Sequence, residues 1–109
     1  MIEQSLFTVK EVPAIMGIST NNTGHKFIVR EDNNNVISCV TNEYKLVTNQ
    51  EVIDKALPII ERHNGTIDEV KTFAQGARSS WVFKFRKNPI TIEGEKLFPQ
   101  LNIKNSYDG

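Results

Sequence analysis

Residues 44–65 read YKLVTNQEVIDKALPIIERHNG, and this stretch decides what kind of domain the chain can build. Thr48 followed by Glu51 is a capping box: the threonine hydroxyl can accept from the Glu51 amide while the Glu51 carboxylate reaches back to the Thr48 amide. A helix therefore begins at Asn49. At about 100° per residue, Val52, Ile53, Ala56, Leu57, Ile59 and Ile60 fall within an arc of roughly 160°, and Glu51, Asp54, Lys55, Glu61 and Arg62 fill the remainder. One face is core and the other is solvated. Asn64 and Gly65 tolerate positive φ just beyond the last apolar position, and Arg62 and His63 set ionisable groups at the negative end of the helix dipole, so the helix ends at about His63. Pro58 removes a backbone hydrogen bond, which costs about 3 kcal/mol in a helix interior. It falls on the solvent side of the same wheel, which predicts a bend over residues 54–58 in one helix and not a break into two.

Around this helix the chain reads as strand and turn. LFTVKEV, residues 6–12, is β-branched and aromatic, and Pro13 ends any ladder there, which predicts a short edge strand. Residues 13–24, rich in Gly, Ser, Thr and Asn, predict an irregular surface loop. KFIVRED (26–32) and VISCVT (36–41) flank Asn33-Asn34-Asn35 and predict a hairpin. TIDEVKTFAQ (66–75) and SSWVFKFRK (79–87), divided by Gly76, predict a second one. In its latter strand Trp81, Phe83 and Phe85 share one face, with Val82, Lys84 and Arg86 on the other. ITIEGEK (90–96) turns at Glu93-Gly94, and LFPQLNIK (97–104) closes the pattern, its Pro99 marking an edge or a bulge. The fold class is α+β in a single domain over residues 1–109: an antiparallel sheet built from two hairpins plus flanking strands, packed on one face against one amphipathic helix of about residues 49–63.

Thirteen basic and thirteen acidic residues leave no net charge, so any nucleic-acid site has to be local. The single cysteine, Cys39, excludes an internal disulfide framework and a thiolate zinc cluster; it fits a reducing compartment and reads as a buried small hydrophobe. No apolar run approaches the ~20 residues that span a bilayer, and the first residues lack a basic start and an apolar signal core, which predicts a cytoplasmic protein with no membrane partner.

The order of landmarks carries more than any one of them. Arg30 and Asp32 precede the first hairpin turn, Tyr44 and Asn49 open the helix, Gly76 precedes the Trp81 strand, and Asn105-Ser106-Tyr107-Asp108-Gly109 closes the chain. Over roughly residues 6–109 this resembles the phage/plasmid-like family of unknown function, carried by bacteriophages, plasmids and integrative elements. Tyr44, Asn49, Trp81, Asn105 and Asp108 are the positions that carry the resemblance, and it attaches no role to them. Family members run past the closing pentapeptide, so the resemblance implies an N-terminal part or a shortened member. If phage-encoded, the chain belongs in the host cytoplasm.

For chemistry the chain offers His25, read as a loop residue, His63 at a helix end, and Cys39. It has no triad spacing, phosphate-cradling glycine loop or His/Cys ligand pattern, so no catalytic residue, metal or cofactor is assigned. One constellation stands out. Residues 71–87 contain Lys71, Arg78, Lys84, Arg86 and Lys87 and no acid, interleaved with Phe73, Trp81, Phe83 and Phe85. Cations that track a phosphate backbone beside aromatics on which bases stack are the ingredients of sequence-tolerant single-strand binding, with Arg78, Lys84, Arg86 and Lys87 as the candidates. The same pattern describes a half-solvated strand whose aromatics are core. Two functions stay open: a mobile-element accessory of DNA metabolism that binds single-stranded nucleic acid weakly, or a protein-interaction or oligomerisation module, such as an inhibitor of a host factor. Strand edges left open beside Pro13 and Pro99 predict self-association, as a dimer.

Overall fold

The helix forms where its caps place it. In the computed structural model, which describes residues 2–16, 21–87 and 89–108 (without the side chains of residues 16, 21 and 22), α1 spans Asn49–Arg62. The Thr48 hydroxyl accepts from the Glu51 amide at 3.1 Å, and His63 caps the far end. Asn64 takes the positive φ of 60°, while Gly65 is needed for a different reason: a Cβ there would sit 2.6 Å from Ile60 and 2.7 Å from Phe85. Pro58 lies inside this one continuous helix, on the exposed side.

The fold class is α+β with antiparallel strands and a single helix among the described residues. The strands divide into three sheets. β1 (Val9–Met16), β2 (Asn21–Arg30) and β3 (Val36–Thr41) form the first, in that order. The second has the order β4-β5-β8, from β4 (Thr66–Phe73), β5 (Arg78–Lys84) and β8 (Gln100–Ser106). β6 (Ile90–Ile92) and β7 (Glu95–Leu97) make a two-stranded ribbon inserted between β5 and β8. The turns use the residues that tolerate left-handed backbone: Asn34 at φ 59°, and Glu93-Gly94 at 50° and 82° in the ribbon.

Several expectations are corrected. Pro13 does not end its ladder: β1 runs from Val9 through it, pairing Pro13 with Lys26, and the irregularity between Pro13 and Ile15 absorbs the misfit. An edge strand tolerates proline because one row of its amides pairs with nothing. The expected loop over residues 13–24 is therefore mostly strand, with residues 17–20 outside the description, and His25 belongs to β2, opposite Thr41. Cys39 is exposed, because β3 buries its neighbour Val40 and alternation turns Cys39 outward. Ile59 is 54% exposed: the sheet beneath α1 covers a narrower stripe than the apolar arc.

Apolar side chains gather in two clusters and not one. Against the second sheet, Ile53 and Ile60 of α1 meet Trp81 and Phe83 of β5, with Leu6, Leu57, Val70, Phe85 and Ile103 around them. On the first sheet Phe7, Ile28, Val40 and Tyr107 form the other, Phe7 and Tyr107 meeting edge to face at 6.2 Å between centroids. The molecule is long, 69 × 24 × 22 Å, with a radius of gyration of 18.3 Å. A compact chain of this length would have about 13 Å, so substantial hairpin surface lies away from either core.

Candidate nucleic-acid interface

Tyr44, Asn49, Trp81 and Asn105 meet in one place and build a joint between the two cores, whereas Asp108 lies outside it, paired with Arg78. Asn49, at the first turn of α1, is fully buried; its side-chain amide donates to the Ser5 carbonyl at 2.8 Å and to the Ser79 hydroxyl at 3.2 Å, and its oxygen accepts from Asn105 at 2.9 Å. The Asn49 backbone N–H donates to the Tyr107 hydroxyl at 2.6 Å, and the Trp81 indole donates to the Ser5 hydroxyl at 2.8 Å. The Tyr44 hydroxyl donates to the Ser106 carbonyl at 2.8 Å, and Ser38 donates to the Tyr107 carbonyl. Asn105 also donates to the Val47 carbonyl at 2.9 Å, so β8 holds the segment leading into the helix. Among the described residues no buried side-chain polar atom lacks a partner. A fully satisfied buried network rigidifies and specifies a packing arrangement. Burial raises the Tyr107 pKa above its ordinary 10.0, the neutral phenol being the form the joint holds.

Arg30 and Gly76 make a second contact between the halves. The Arg30 guanidinium binds both carboxylate oxygens of Asp32, at 3.0 and 2.7 Å, and lies over the Phe7 ring with its carbon 3.9 Å from the centroid. It also donates to the Gln75 carbonyl at 3.3 Å, across to the turn between β4 and β5. Gly76 in that turn has φ 107°, and a Cβ there would meet Phe7 at 2.9 Å.

The aromatic strand resolves by face. Trp81 and Phe83, 0% and 2% exposed, are core, and Phe85 is half-buried beneath the helix. None of the three is presented for base stacking. Among the described residues nothing covers the opposite face of β4-β5-β8, and the register sets out its rows: Phe73, Arg78 and Ser106; Lys71, Ser80 and Lys104; Glu69, Val82 and Asn102. These residues line an open groove of about 680 Å³. Phe73, 50% exposed, is the aromatic side chain on this face.

The run that is free of acids in sequence is not free of them in space. Arg78 pairs with Asp108 at 2.8 Å, Lys71 with Glu69 at 3.1 Å, and Asp68 takes both Lys84 at 3.3 Å and Arg86 at 3.0 Å. Hydrogen bonds from Ser106 and Arg78 hold the Asp108 carboxyl below its ordinary range. Of the four candidates, Arg78 lines the groove; Lys84 lies two residues further along its strand than Val82; Arg86 and Lys87 fall in the turn after β5. Lys104 and Lys87 make no ion pair among the described residues. Reading the sequence by runs missed Lys104: its place beside Ser80 depends on β8 pairing with β5 across the ribbon, a non-local fact that period-two alternation alone does not supply.

His25, Cys39, Tyr44 and Asp108 line a smaller cleft of about 280 Å³ on the first sheet. The Nδ1 atom of His25 lies 3.1 Å from the Thr23 carbonyl oxygen, and no Cys–His hydrogen bond is formed. Among the described residues no group of three His, Cys, Asp or Glu side chains is placed to hold a metal ion, and no helix is long and apolar enough to cross a membrane. Compared with family models, characterised proteins and solved structures, the chain matches none of them.

Proposed function

We propose that this chain binds single-stranded nucleic acid, weakly and with little sequence preference, on the uncovered face of β4-β5-β8. The observation that carries the reading is the grouping of Lys71, Arg78 and Lys104 with the exposed Phe73 in one open groove, Lys84 continuing the basic line along β5. Surface ion pairs are worth about 0–1 kcal/mol each, so a phosphate can compete with Glu69, Asp68 and Asp108 for these cations. Aromatic stacking on Phe73 would supply a contact tolerant of any base. The wider role within this reading is a mobile-element accessory to DNA metabolism, and it rests on the resemblance alone.

Fluorescence anisotropy with a labelled oligothymidine at low salt tests the reading. With about four phosphates engaged, the logarithm of affinity should fall against the logarithm of salt with a slope of roughly −3. Replacing Lys71 and Lys104 together by serine should weaken binding and reduce that slope by about 1.4 without unfolding the domain, since both stems lie on the wet face. Phe73→Ala should weaken binding by about 1–3 kcal/mol at unchanged slope. Wild-type protein that shows no binding at low salt, or a double variant that binds as the wild type does, overturns the proposal.

A protein-interaction module is the second reading, favoured by the apolar side chains exposed on and beside the β6/β7 ribbon.

A further inference from the structure

The spacing of Ile67 and Val70 decides the shape of β4. Both side chains pack into the helix-side cluster, against Phe83 and Trp81, yet they stand three residues apart, and an alternating strand brings only every second residue to one face. The ladder answers with a bulge: the register slips between Ile67 and Glu69, so that two residues of β4 stand against one of β5. Asp68 is the added residue. A bulge re-aims side chains, and here it turns two consecutive acids, Asp68 and Glu69, away from the helix and onto the uncovered face. Without it, alternation from Ile67 would carry Glu69 to the helix side and Val70 out to solvent.

On that face Asp68 does what neither of its acidic neighbours does. Its two oxygens take two cations, Arg86 at 3.0 Å on one and Lys84 at 3.3 Å on the other, whereas Glu69 takes Lys71 alone and Asp108 takes Arg78 alone among the described residues. Lys84 stands in the row of Thr66, Lys84 and Gln100, the next along from Glu69, Val82 and Asn102. The paired charges therefore lie at one end of the groove, about 13 Å along β5 from Ser80 at the rise of a strand. The side chains of Asp68 and Lys84 are 30% and 34% exposed, so their attraction is screened less than that of a pair in open solvent.

We infer that Asp68 limits the grip of this face on a single strand. It withholds Arg86 from phosphate, and a phosphate that reaches Lys84 has to displace Asp68 and then lie beside its charge. The strand is held chiefly by Lys71, Arg78 and Lys104, and the basic line stops short of Arg86. The inference rests on the nucleic-acid reading of the sheet and adds to it the residue that keeps binding weak. Its origin is the bulge: burying Ile67 and Val70 on one face leaves this carboxylate on the other. Neutralising Asp68 leaves the apolar packing untouched, because the side chain is on the wet face and surface ion pairs contribute little to folding.

Anisotropy titrations of labelled oligothymidine over a salt series, comparing the full wild-type chain with Asp68→Asn, test it. The variant should bind at least about threefold more tightly at low salt, as removal of one charge about 7 Å from a phosphate predicts. Its slope against the logarithm of salt should steepen by about 0.7 as Arg86 gains a phosphate. Its urea midpoint should match the wild type, and Asp68→Ser gives the same comparison with a shorter side chain. Glu61→Gln, on the exposed side of α1 and across the sheet from this face, changes the net charge by the same amount and should alter neither affinity nor slope. Adding Lys84→Ser and Arg86→Ser to Asp68→Asn should erase the gain. If the wild type binds and Asp68→Asn binds with equal affinity and slope, the inference falls and the nucleic-acid reading stands. A gain matched by Glu61→Gln, or one that survives loss of Lys84 and Arg86, overturns the inference as well. Binding by Asp68→Asn alone upholds the role of Asp68 and removes the reading for the native chain, and binding by neither overturns both.

Discussion

Replacing Asn49 by aspartate keeps the size and shape of the side chain and removes its two N–H donors, which makes it the sharpest probe of the joint between the cores. In the wild type those donors serve the Ser5 carbonyl at 2.8 Å and the Ser79 hydroxyl at 3.2 Å, and Asn49 itself is 0% exposed. Aspartate would turn a carboxylate oxygen toward the Ser5 carbonyl. The Ser5 carbonyl loses its partner inside the protein, which costs about 1–3 kcal/mol, and burying a carboxylate in place of a neutral amide adds to that, although the Ser79 hydroxyl can turn to donate to the new oxygen. Asn105 keeps its bond to Val47 and is not orphaned. The expected loss is about 3 kcal/mol at pH 7, a large part of the 5–15 kcal/mol typical of a domain. Asn49→Ala should lose a similar amount. Urea denaturation followed by the fluorescence of Trp81, the single tryptophan, reads it directly. If Asn49→Asp unfolds within 1 kcal/mol of the wild type while Asn49→Ala does not, volume and not hydrogen bonding holds the joint, and the reasoning fails.

Three further outcomes are expected. Ile60→Ala and Ile53→Ala should each destabilise by about 2–5 kcal/mol, whereas Ile59→Ala should be within about 0.5 kcal/mol of the wild type; equal denaturation midpoints for Ile59→Ala and Ile60→Ala would misplace the helix face. Gly76→Ala should destabilise by about 1–3 kcal/mol, since its φ of 107° is strained for any side chain and the new methyl meets Phe7; an unshifted melting temperature would contradict this. The raised pKa of Tyr107 makes its contribution fully present below the unfolded value of 10.0, and stability should fall as pH climbs from there through the folded value. Tyr107→Phe should flatten that alkaline limb in urea titrations, and an identical limb in the variant would assign it to another group.

The helix was legible because its signals are local. Thr48, Glu51 and the Asn64-Gly65 pair state its ends within a few residues, and the two tight hairpins are local for the same reason. The two faces of β5 followed from alternation, which separates Trp81 and Phe83 from Val82 and Lys84 whatever the partner strand, but which face is buried was left open and is decided by the helix packed over Trp81 and Phe83. What could not be read was pairing at a distance. β8 reaches β5 only after the ribbon, and Asp68 and Asp108 come to the basic strand from neighbouring strands, so a run without acids became a set of ion pairs. The division of the strands into three sheets was not legible either, because Tyr44, Asn49, Asn105 and Tyr107 join the first two through segments that carry no common local pattern. Pro13 misled for a simpler reason: the rule that proline ends a strand applies where both rows of amides are paired, and β1 is an edge.

The measurement that bears most directly on the uncovered sheet face is a titration of the isotopically labelled chain with oligothymidine, followed by amide chemical shifts at low salt. Perturbations should fall on Lys71, Phe73, Arg78, Ser80 and Lys104, grow together with one apparent affinity, and fade as salt is raised. Shifts centred instead on the cleft of His25 and Cys39, or an unperturbed spectrum at saturating oligonucleotide, would contradict the assignment of that face to nucleic acid.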